Sequence, residues 1–347
     1  MPREMTVSID AMGGDAGPGV VVAALARSVQ RHPLAKFILH GDDAKLKPLF
    51  ARRAKLLEKV TIRHAPDRVS MEEKPAIALR RGRNSSMWRA IEAVKNKEAE
   101  TVVSAGNTGA LMGMGMFQLG VLDGISRPAI AVILPTLRGQ SIVLDVGANV
   151  QSDAEQLVDF AVMGEAFARA IFSLERPSVA LLNVGSEDVK GNDAVKGAAH
   201  ILRNVNLPME FSGFAEGDDI AEGSADVIVT DGFTGNVALK TAEGTAKLVV
   251  TYMRGALRRS FMGRIGGLLA APALRTLRRK LDPRAYGGGI FLGLNGVVVK
   301  AHGGTDALGF ASAIDMAVDM AEAGITARII ADHAAVAAAL NAGAAAS

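Results

Sequence analysis

The chain has 347 residues, of which 49% are hydrophobic, and it contains no cysteine. A thiolate nucleophile, a thiolate metal site and structural disulfides are therefore excluded. The sequence has no run of about 18 uninterrupted apolar residues and no apolar N-terminal stretch typical of a signal peptide, so we expect a cytoplasmic protein without a membrane-spanning helix.

The positive charge of the chain is concentrated in one segment. The formal net charge is +3 and the isoelectric point is about 9.1. Nine Lys and Arg residues, and no Asp or Glu, lie within residues 244–281, so the rest of the chain is net acidic. A local basic segment of this kind indicates an anionic partner.

Short β-branched segments alternate with helical patterns through most of the chain, which predicts βαβ units and a mainly parallel sheet. The predicted strands comprise residues 6–9, 36–40, 60–64, 101–104, 129–134, 141–145, 178–183, 227–230 and 297–300. The predicted helices comprise residues 19–31, 85–96, 109–119, 154–172, 194–204 and 307–323. We expect one α/β domain over residues 1–330 and an Ala-rich tail over residues 331–347, to which the sequence assigns no function.

The segment 236–281 interrupts this alternation. It has a helical pattern broken by glycines and one proline, which predicts a helical pair or a projecting arm, and we place a basic amphipathic arm at residues 244–285. The arm could lie on anionic lipid, form a dimer contact or dock an acidic protein. Nucleic acid is less favoured, because the segment has few aromatic residues. The candidate contact residues are Arg258, Arg259, Leu268 and Leu269.

In six places an apolar β-type segment ends in a polar residue, typically Asp or Ser, and leads into a glycine-rich polar turn. Such turns at the carboxyl ends of parallel strands are where open α/β sheets bind ligands, and backbone N–H groups at a following helix start favour anions. The same residue types also serve as ordinary turn and cap residues. We predict substrate or phosphate contacts at Asp10, Gly13, Gly14, Ser104, Gly106, Asn107, Thr108, Asn149, Gly232, Thr234, Gly235 and Gly303.

Four residues in these turns are candidates for the chemistry. Lys190 could neutralise a phosphate or a developing oxyanion, or it could be a solvated loop lysine. His302 follows a strand and precedes two glycines, a setting that the other five histidines lack, and it could act as an acid, a base or a hydrogen-bond donor. Asp231 and Asn236 could present a carboxylate and an amide to a substrate, or merely cap a helix.

A second basic segment precedes Ser85, a predicted helix N-cap. Its arginines, Arg80, Arg81 and Arg83, could bind phosphate or an acidic partner protein, or form an ordinary basic surface. No metal site is predicted, because Asp10 and Asp15 lack further nearby oxygen ligands. The methionine-rich segment 111–117 could line an acyl channel, although core packing is the commoner use of such a stretch.

Taken in chain order, the segments DAMGGD, KP…ALR…SSM, SAGNTGA, DVGAN, NVGSEDVKGN, TDGFTGNV and KAHGGTD closely resemble the bacterial acyl-[acyl-carrier-protein]:phosphate acyltransferase family of phospholipid synthesis. The likeness extends over roughly residues 7–323. Ser186 and the pair Gly304 and Thr305 depart from the family pattern, but neither departure removes a proposed reacting group.

The resemblance implies a Rossmann-like three-layer αβα fold, related to the isocitrate dehydrogenase and phosphotransacetylase group, with a projecting helical arm. It also implies a homodimer without a cofactor, which moves a fatty acyl chain from acyl carrier protein to inorganic phosphate. Such enzymes associate peripherally with the inner face of the membrane and pass acyl phosphate to a membrane-bound glycerol-3-phosphate acyltransferase.

Phosphate is itself a nucleophile towards a thioester, so this reaction requires no protein nucleophile. Our hypothesis is that Lys190 and His302 neutralise phosphate and the oxyanion, that Asn236 orients the carbonyl or phosphate, and that Asp231 orients Lys190 or acts as base. Two alternatives stay open, a coenzyme A-dependent phosphotransacetylase-like enzyme and a non-catalytic membrane scaffold. A nicotinamide-dependent dehydrogenase is less favoured, because no GxGxxG motif follows a predicted strand.

Overall fold

One eleven-stranded sheet organises the protein in the computed structural model, which describes residues 4–205, 208–280 and 286–346. The strands are β1 (Met5–Asp10), β2 (Ala35–Gly41), β3 (Val60–His64), β4 (Thr101–Ser104), β5 (Ala129–Thr136), β6 (Gly139–Leu144), β7 (Ser178–Leu182), β8 (Glu210–Ala215), β9 (Val227–Val229), β10 (Gly289–Leu292) and β11 (Val297–Lys300). Their order in the sheet is β3-β2-β1-β4-β11-β10-β5-β6-β9-β7-β8.

The helices connect these strands and cover both faces of the sheet. They are α1 (Pro18–Arg31), α2 (Asp43–Phe50), α3 (Ala54–Leu57), α4 (Pro75–Arg81), α5 (Ser86–Lys95), α6 (Thr108–Leu119), α7 (Ala154–Phe172), α8 (Asp193–Asn204), α9 (Asp219–Glu222), α10 (Gly232–Arg258), α11 (Phe261–Leu269), α12 (Ala271–Lys280), α13 (Ala307–Ala323) and α14 (Ile325–Ala346). A 3-10 turn at Gly82–Asn84 links α4 to α5.

The centre of the sheet is antiparallel. The pairings β11–β10, β10–β5 and β5–β6 are antiparallel, whereas the other seven pairings are parallel. The expected mainly parallel sheet is therefore confirmed, but its two halves run in opposite directions. As a result, the carboxyl ends of β1, β4 and β11 lie at one end of the sheet along the strand direction, and those of β6, β9 and β7 lie at the opposite end.

Two hydrophobic layers flank the sheet. One face packs against α1, α7, α8, α13 and α14, and its core includes Phe160, Phe167 and Phe310, which are fully buried. The other face packs against α4, α5 and α6, with the first turns of α10 partly buried against it. This arrangement is the three-layer αβα fold that we expected.

Every predicted strand and helix has a counterpart in the structure, but the sequence reading missed several elements. The overlooked strands are β8, which contains Gly213 and lies at the sheet edge, and β10, which follows a run of glycines. The 22-residue helix α14 was also not predicted, and the other overlooked helices, α2, α3, α4 and α9, are all short. Tertiary packing, rather than local pattern, stabilises elements of this length.

The arm is helical, as predicted, and begins as a continuation of α10. This helix has 27 residues, and its only buried residues among those described are Gly232 and Gly235. The helices α11 and α12 complete the arm, where Leu268 and Leu269 are 76% and 77% exposed. Residues 281–285 of the expected arm lie outside the described residues. In the described part of the chain, no helix combines the length and apolarity needed to cross a membrane.

The C-terminal helix α14 contains position 331, where we expected the tail to begin. Val336 of α14 is buried, and His333 Nε2 lies 3.1 Å from Asp159 Oδ1 on α7. Asp332 Oδ2 lies 3.4 Å from Arg169 Nη1, also on α7. Burial raises the pKa of Glu165, beside this pair, to about 8, and the negative charge of Asp332 adds to the shift. The first turns of α14 are thus packed parts of the fold.

Candidate active site

Three polar residues lie side by side at the carboxyl ends of three neighbouring strands. Asp10, Ser104 and Lys300 are the last residues of β1, β4 and β11, and they pair in register across the three strands. Neighbouring residues in register on parallel strands project from the same face of a sheet. Ser86 at the start of α5 donates a hydrogen bond to Asp10 Oδ1 at 2.6 Å, so this face is the one covered by α5.

Asp10 is fully buried and satisfied by four donors. Oδ1 accepts hydrogen bonds from Ser86 Oγ and from the N–H groups of Met12 and Gly13, and Oδ2 accepts one from Ser104 Oγ at 2.6 Å. Burial raises the pKa of Asp10, whereas these four hydrogen bonds act to lower it. Asp10 therefore organises the turn around it instead of facing solvent.

Glycines allow the turns after these three strands to pack closely. A Cβ on Gly13 would lie 2.5 Å from Asp10 Oδ2, and one on Gly106 would lie 2.4 Å from Met87 Cε. Gly14 has a φ of +81°, and its Cβ would lie 2.8 Å from the carbonyl oxygen of Gly303. Asp15 N–H donates to that same carbonyl at 2.9 Å. The structure thus brings Asp10, Gly13, Gly14, Ser104, Gly106 and Gly303 together.

Asn107 holds a loop in place. Its side-chain Oδ1 caps α6 by accepting from Ala110 N–H at 3.0 Å, and Nδ2 donates to the carbonyls of Met71 and Glu73 at 2.8 and 2.9 Å. The amide of Asn107 is therefore engaged within the protein. Thr108, the first residue of α6, is half-buried beside it, where backbone N–H groups of the helix start point outwards.

His302 lies on the turn that follows β11 and is exposed. Its Nδ1 accepts a hydrogen bond from the N–H of Gly304 at 3.2 Å. Nε2 is the nitrogen that this bond leaves for a ligand or solvent. The turn places His302 two residues beyond Lys300 and next to Gly303, at the same end of the sheet as Asp10.

A second group of turns surrounds Asp145, directly after β6. Asp145 is fully buried and accepts hydrogen bonds from four backbone N–H groups and from Asn149 Nδ2 at 3.0 Å. Asn149 Nδ2 also donates to the carbonyl of Pro128 at 2.9 Å. Burial raises the pKa of Asp145, while these hydrogen bonds oppose the shift. Asn149 therefore shapes this turn through its side chain.

The start of α10 packs against the Asp145 turn. Asp231 caps the helix, accepting from Thr234 N–H at 2.9 Å and from Thr234 Oγ1 at 2.8 Å. Gly232 N–H donates to the carbonyl of Asn149 at 2.8 Å. Asn236 is exposed, and its Nδ2 donates to the carbonyl of Val146 at 3.1 Å. These contacts fix the direction in which the first turn of α10 leaves the sheet.

A groove of about 560 Å³ opens beside Asp231 and Thr234. The 150–152 loop, Phe233 and Asn192, the N-cap of α8, also line it. Lys190 lies two residues before Asn192 and is exposed. The partner of its ammonium group is Glu187 at 2.8 Å, rather than Asp231, and this contact raises the pKa of Lys190.

The two groups of turns lie on the same face of the sheet, although they follow strands of opposite direction. The strand pairings place Asp145 level with Val298 of β11. Leu144, just before Asp145, pairs with Ala131. The residue before Ala131, Ile130, pairs with Phe291, which in turn pairs with Val298. From this register, Asp145 is two residues along the strand direction and three strand spacings from Lys300, or roughly 15 Å. Both groups therefore flank one region across the antiparallel centre of the sheet.

Lys300 is a site residue that the sequence reading missed. It is 9% exposed, and its Nζ donates hydrogen bonds to the carbonyls of Ala301 and, at 3.5 Å, Ala105. Burial lowers the pKa of Lys300 to about 8. The available signal was a charged residue at the end of the apolar segment VVVK, two residues before His302.

The described parts of the chain contain no cluster of side chains suited to bind a metal ion. Among residues 4–205, 208–280 and 286–346, no three His, Asp or Glu side chains are grouped so that they could hold a metal ion. Asp10 directs both oxygens to protein donors, and Asp145 does the same. These carboxylates are therefore structural acceptors in the geometry observed.

Residues 5–328 match the model of a family described as fatty acid synthesis protein. The chain belongs to this family. Two relatives, each named phosphate acyltransferase, are from Parvibaculum lavamentivorans, 54% identical over 96% of this chain and 92% of the relative, and from Sinorhizobium fredii, 55% identical over 94% of both chains. The resemblance to phosphate acyltransferases that we drew from the glycine-rich turns is thereby confirmed.

Two solved structures share the fold of this family member. A EutD phosphotransacetylase from Staphylococcus aureus gives a TM-score of 0.59 at 18% identity, covering 91% of this chain and 94% of its own. A phosphotransacetylase from Streptococcus pyogenes gives 0.59 at 18% identity, covering 92% and 94%. At this identity the likeness concerns the fold alone, and it confirms the expected phosphotransacetylase-like fold.

The contact between α10 and the Asp145 turn predicts contrasting effects for two glycines of one helix. A Cβ at Gly235 would lie 2.0 Å from the carbonyl oxygen of Asp145, whereas a Cβ at Gly244 has no neighbour within 4 Å. We expect Gly235→Ala to lower stability by about 1–3 kcal/mol through overpacking. Gly244→Ala should be neutral or stabilise by about 0.5–1 kcal/mol, because alanine is the better helix former. Thermal unfolding of both variants checks this, and equal melting temperatures would contradict it.

Proposed function

We propose that this protein transfers a fatty acyl group from the thioester of acyl carrier protein to inorganic phosphate. A phosphate oxygen bonds to the thioester carbonyl carbon, the carbon–sulfur bond breaks, and the carrier leaves as a thiolate that takes up a proton. The products are an acyl phosphate and the free carrier. The observation that carries the proposal is 54–55% identity, over nearly the full length, to relatives named phosphate acyltransferase.

The protein must hold a dianion near a carbonyl and stabilise the tetrahedral oxyanion. In our proposal Lys190 and His302 neutralise phosphate and the oxyanion, Asn236 orients the carbonyl or phosphate, and Asp231 orients Lys190 or accepts a proton. Lys190 must exchange Glu187 for substrate in order to act. Such an exchange costs little, because an exposed ion pair contributes only about 0–1 kcal/mol.

Backbone N–H groups complete the anion-binding surface in this proposal. Those of Asn107 and Thr108 lie at the start of α6, where the helix dipole favours negative charge. Gly106 N–H, just before them, donates to Ser104 Oγ at 3.0 Å and must exchange this acceptor for the anion in order to contribute. The engaged amide of Asn107 supports this role, because it fixes the loop from which the N–H groups project. The N–H groups of Gly232, Thr234 and Gly235 at the start of α10 donate to oxygens of Asn149 and Asp231. To play the equivalent part there, they must exchange these acceptors for the anion.

The acidic carrier protein docks, we propose, on the surface of α4 and the 3-10 turn. Arg80, Arg81 and Arg83 are exposed there, together with Ile77, which is 42% exposed. Arg83 lies over the ring of Trp88, with 5.8 Å from its Cζ to the ring centroid. The position favours delivery of the thioester, because Ser86, three residues after Arg83, contacts Asp10 in the site.

The arm binds anionic membrane in this proposal. Arg258, Arg259, Leu268 and Leu269 are all exposed, and the segment combines positive charge with apolar surface. Each basic residue near an anionic bilayer contributes about 1 kcal/mol. An acyl phosphate, with a long apolar chain and a labile anhydride, is best released at a bilayer, where a membrane-bound glycerol-3-phosphate acyltransferase would consume it. The homodimer implied by the resemblance stays a prediction.

The reaction is tested by incubating the purified protein with palmitoyl-acyl carrier protein and phosphate, and by trapping the product with hydroxylamine. We expect palmitoyl hydroxamate whose amount depends on phosphate, and release of the carrier thiol in equal amount. Palmitoyl-coenzyme A serves as the matched donor. Product from coenzyme A alone would favour the phosphotransacetylase-like alternative, and no product from either donor would contradict the proposal.

The role of Lys190 is tested against a lysine in the same kind of ion pair. Lys190 pairs with Glu187 and Lys196 with Asp193, both at a spacing of three residues. We expect Lys190→Ala to lower kcat about 100-fold or more, because it removes a charge that stabilises the oxyanion or phosphate. Lys196→Ala should stay within about twofold of wild type, as exposed pairs contribute little. Near-normal turnover by Lys190→Ala would remove Lys190 from the mechanism.

The two contact surfaces are tested by a reciprocal pair of variants. Changing Arg80, Arg81 and Arg83 to Glu should raise KM for palmitoyl-acyl carrier protein at least about tenfold without altering vesicle binding. Changing Leu268 and Leu269 to Asp should abolish sedimentation with anionic vesicles while leaving that KM unchanged. Leu137→Asp, at a site that is 88% exposed outside the arm, is the control for the second variant. If the arginine variant lost vesicle binding and the leucine variant raised KM, the arm would be the carrier-binding surface and α4 the membrane contact. If Leu268 and Leu269 were changed to Asp and vesicle binding stayed unchanged, the membrane role of the arm would be refuted.

A further inference from the structure

We propose that Lys300 is a phosphate-binding residue, which contributes a buried positive charge and one hydrogen bond to inorganic phosphate and to the phosphoryl group of the product. This inference rests on the proposed function, since it names a further contact for the same substrate. It adds a cation on the Asp10 side of the site, opposite the groove beside Lys190.

The position of Lys300 is that of a ligand-binding residue. It is the last residue of β11, where three parallel strands have their carboxyl ends. It is in register with Ser104 of β4 and, one strand further, with Asp10 of β1. Open α/β sheets bind their ligands at the carboxyl ends of their strands. Lys300 is also beside the turn that contains His302, and its Nζ reaches the carbonyl of Ala105 in the turn before α6.

The hydrogen bonds of Lys300 leave capacity for a ligand. An ammonium group has three donors, and the described partners of Nζ are two carbonyl oxygens, those of Ala105 and Ala301. In the described part of the chain no carboxylate lies within ion-pairing distance of Lys300. Asp10, the nearest candidate in register, directs both oxygens to other donors. A buried cation held by neutral carbonyls is well suited to an anionic ligand.

Three charged groups act on Lys300 from the elements around it. Asp10 on β1 and Asp15 in the following loop favour its charged form, whereas Lys240 on α10 disfavours it. Burial is the largest influence and, with Lys240, it lowers the pKa of Lys300 to about 8. Lys240 belongs to the helix that also carries Asn236, and its ammonium group is paired with Glu243 at 2.7 Å.

The pH dependence of phosphate binding follows from this pKa. Below pH 8 Lys300 is charged and binds phosphate. As pH rises through about 8 the charge is lost, so KM for phosphate should increase. Arginine stays charged over this range, so Lys300→Arg should remove the increase even if its fit reduces kcat.

The test compares Lys300→Met and Lys300→Arg with wild type and with Lys47→Met, an exposed lysine on α2. We expect Lys300→Met to raise KM for phosphate by about 10- to 100-fold, the usual effect of losing a charged hydrogen bond, and to leave KM for palmitoyl-acyl carrier protein within about twofold. Inorganic phosphate alone should raise the Tm of wild type and Lys47→Met, but not that of Lys300→Met. This second readout does not depend on turnover.

The outcomes separate this inference from the proposed function. If Lys300→Met lowers the basal Tm but keeps the normal phosphate-dependent increase and a normal KM for phosphate, Lys300 is only structural and the inference is wrong. If wild type forms no acyl phosphate, yet phosphate raises its Tm and not that of Lys300→Met, the proposed function fails and the inference stands. If Lys300→Met does not fold, the pH profile of Lys300→Arg decides, and a rise in KM above pH 8 equal to that of wild type overturns the inference.

Discussion

A buried carboxylate must have its charge matched by hydrogen-bond donors, and this protein uses that requirement twice to build its turns. Asp10 gathers two hydroxyls and two backbone N–H groups, and Asp145 gathers four N–H groups and the amide of Asn149. Each residue stands just where a central strand gives way to a turn. The glycines around them follow from this arrangement, because backbone must approach each carboxylate closely.

The antiparallel centre of the sheet determines how the two sets of turns relate. Because three successive antiparallel pairings join β11, β10, β5 and β6, the turns after β1, β4 and β11 leave one end of the sheet and those after β6 and β9 leave the other. The cations follow the same division, with Lys300 on one side and Lys190 on the other. A substrate with an anionic group and a long apolar chain would meet charged groups from both halves of the sheet.

Local sequence pattern predicted the strands, the main helices and the residues of the polar turns, since alternation, glycine and cap residues are encoded locally. It did not predict β10, because four residues after a run of glycines carry too little periodicity, and two of the three antiparallel pairings at the centre of the sheet involve that strand. Nor did it predict the burial of Lys300 or the use of Asn107 to hold the 70–73 loop. Both depend on contacts between residues far apart in the chain.

The last two helices have a mechanical consequence for the whole molecule. α13 packs against α1 and β11, which belong to the half of the sheet that carries Asp10, whereas α14 packs against α7, which belongs to the half that carries Asp145. One continuous stretch of chain therefore joins the two halves across the face opposite the site, and its ionic contacts to Arg169 and Asp159 fasten it there. A change in the relative position of the two halves would therefore have to disturb these contacts, in which the helices on the other face, α4 and α10, take no part.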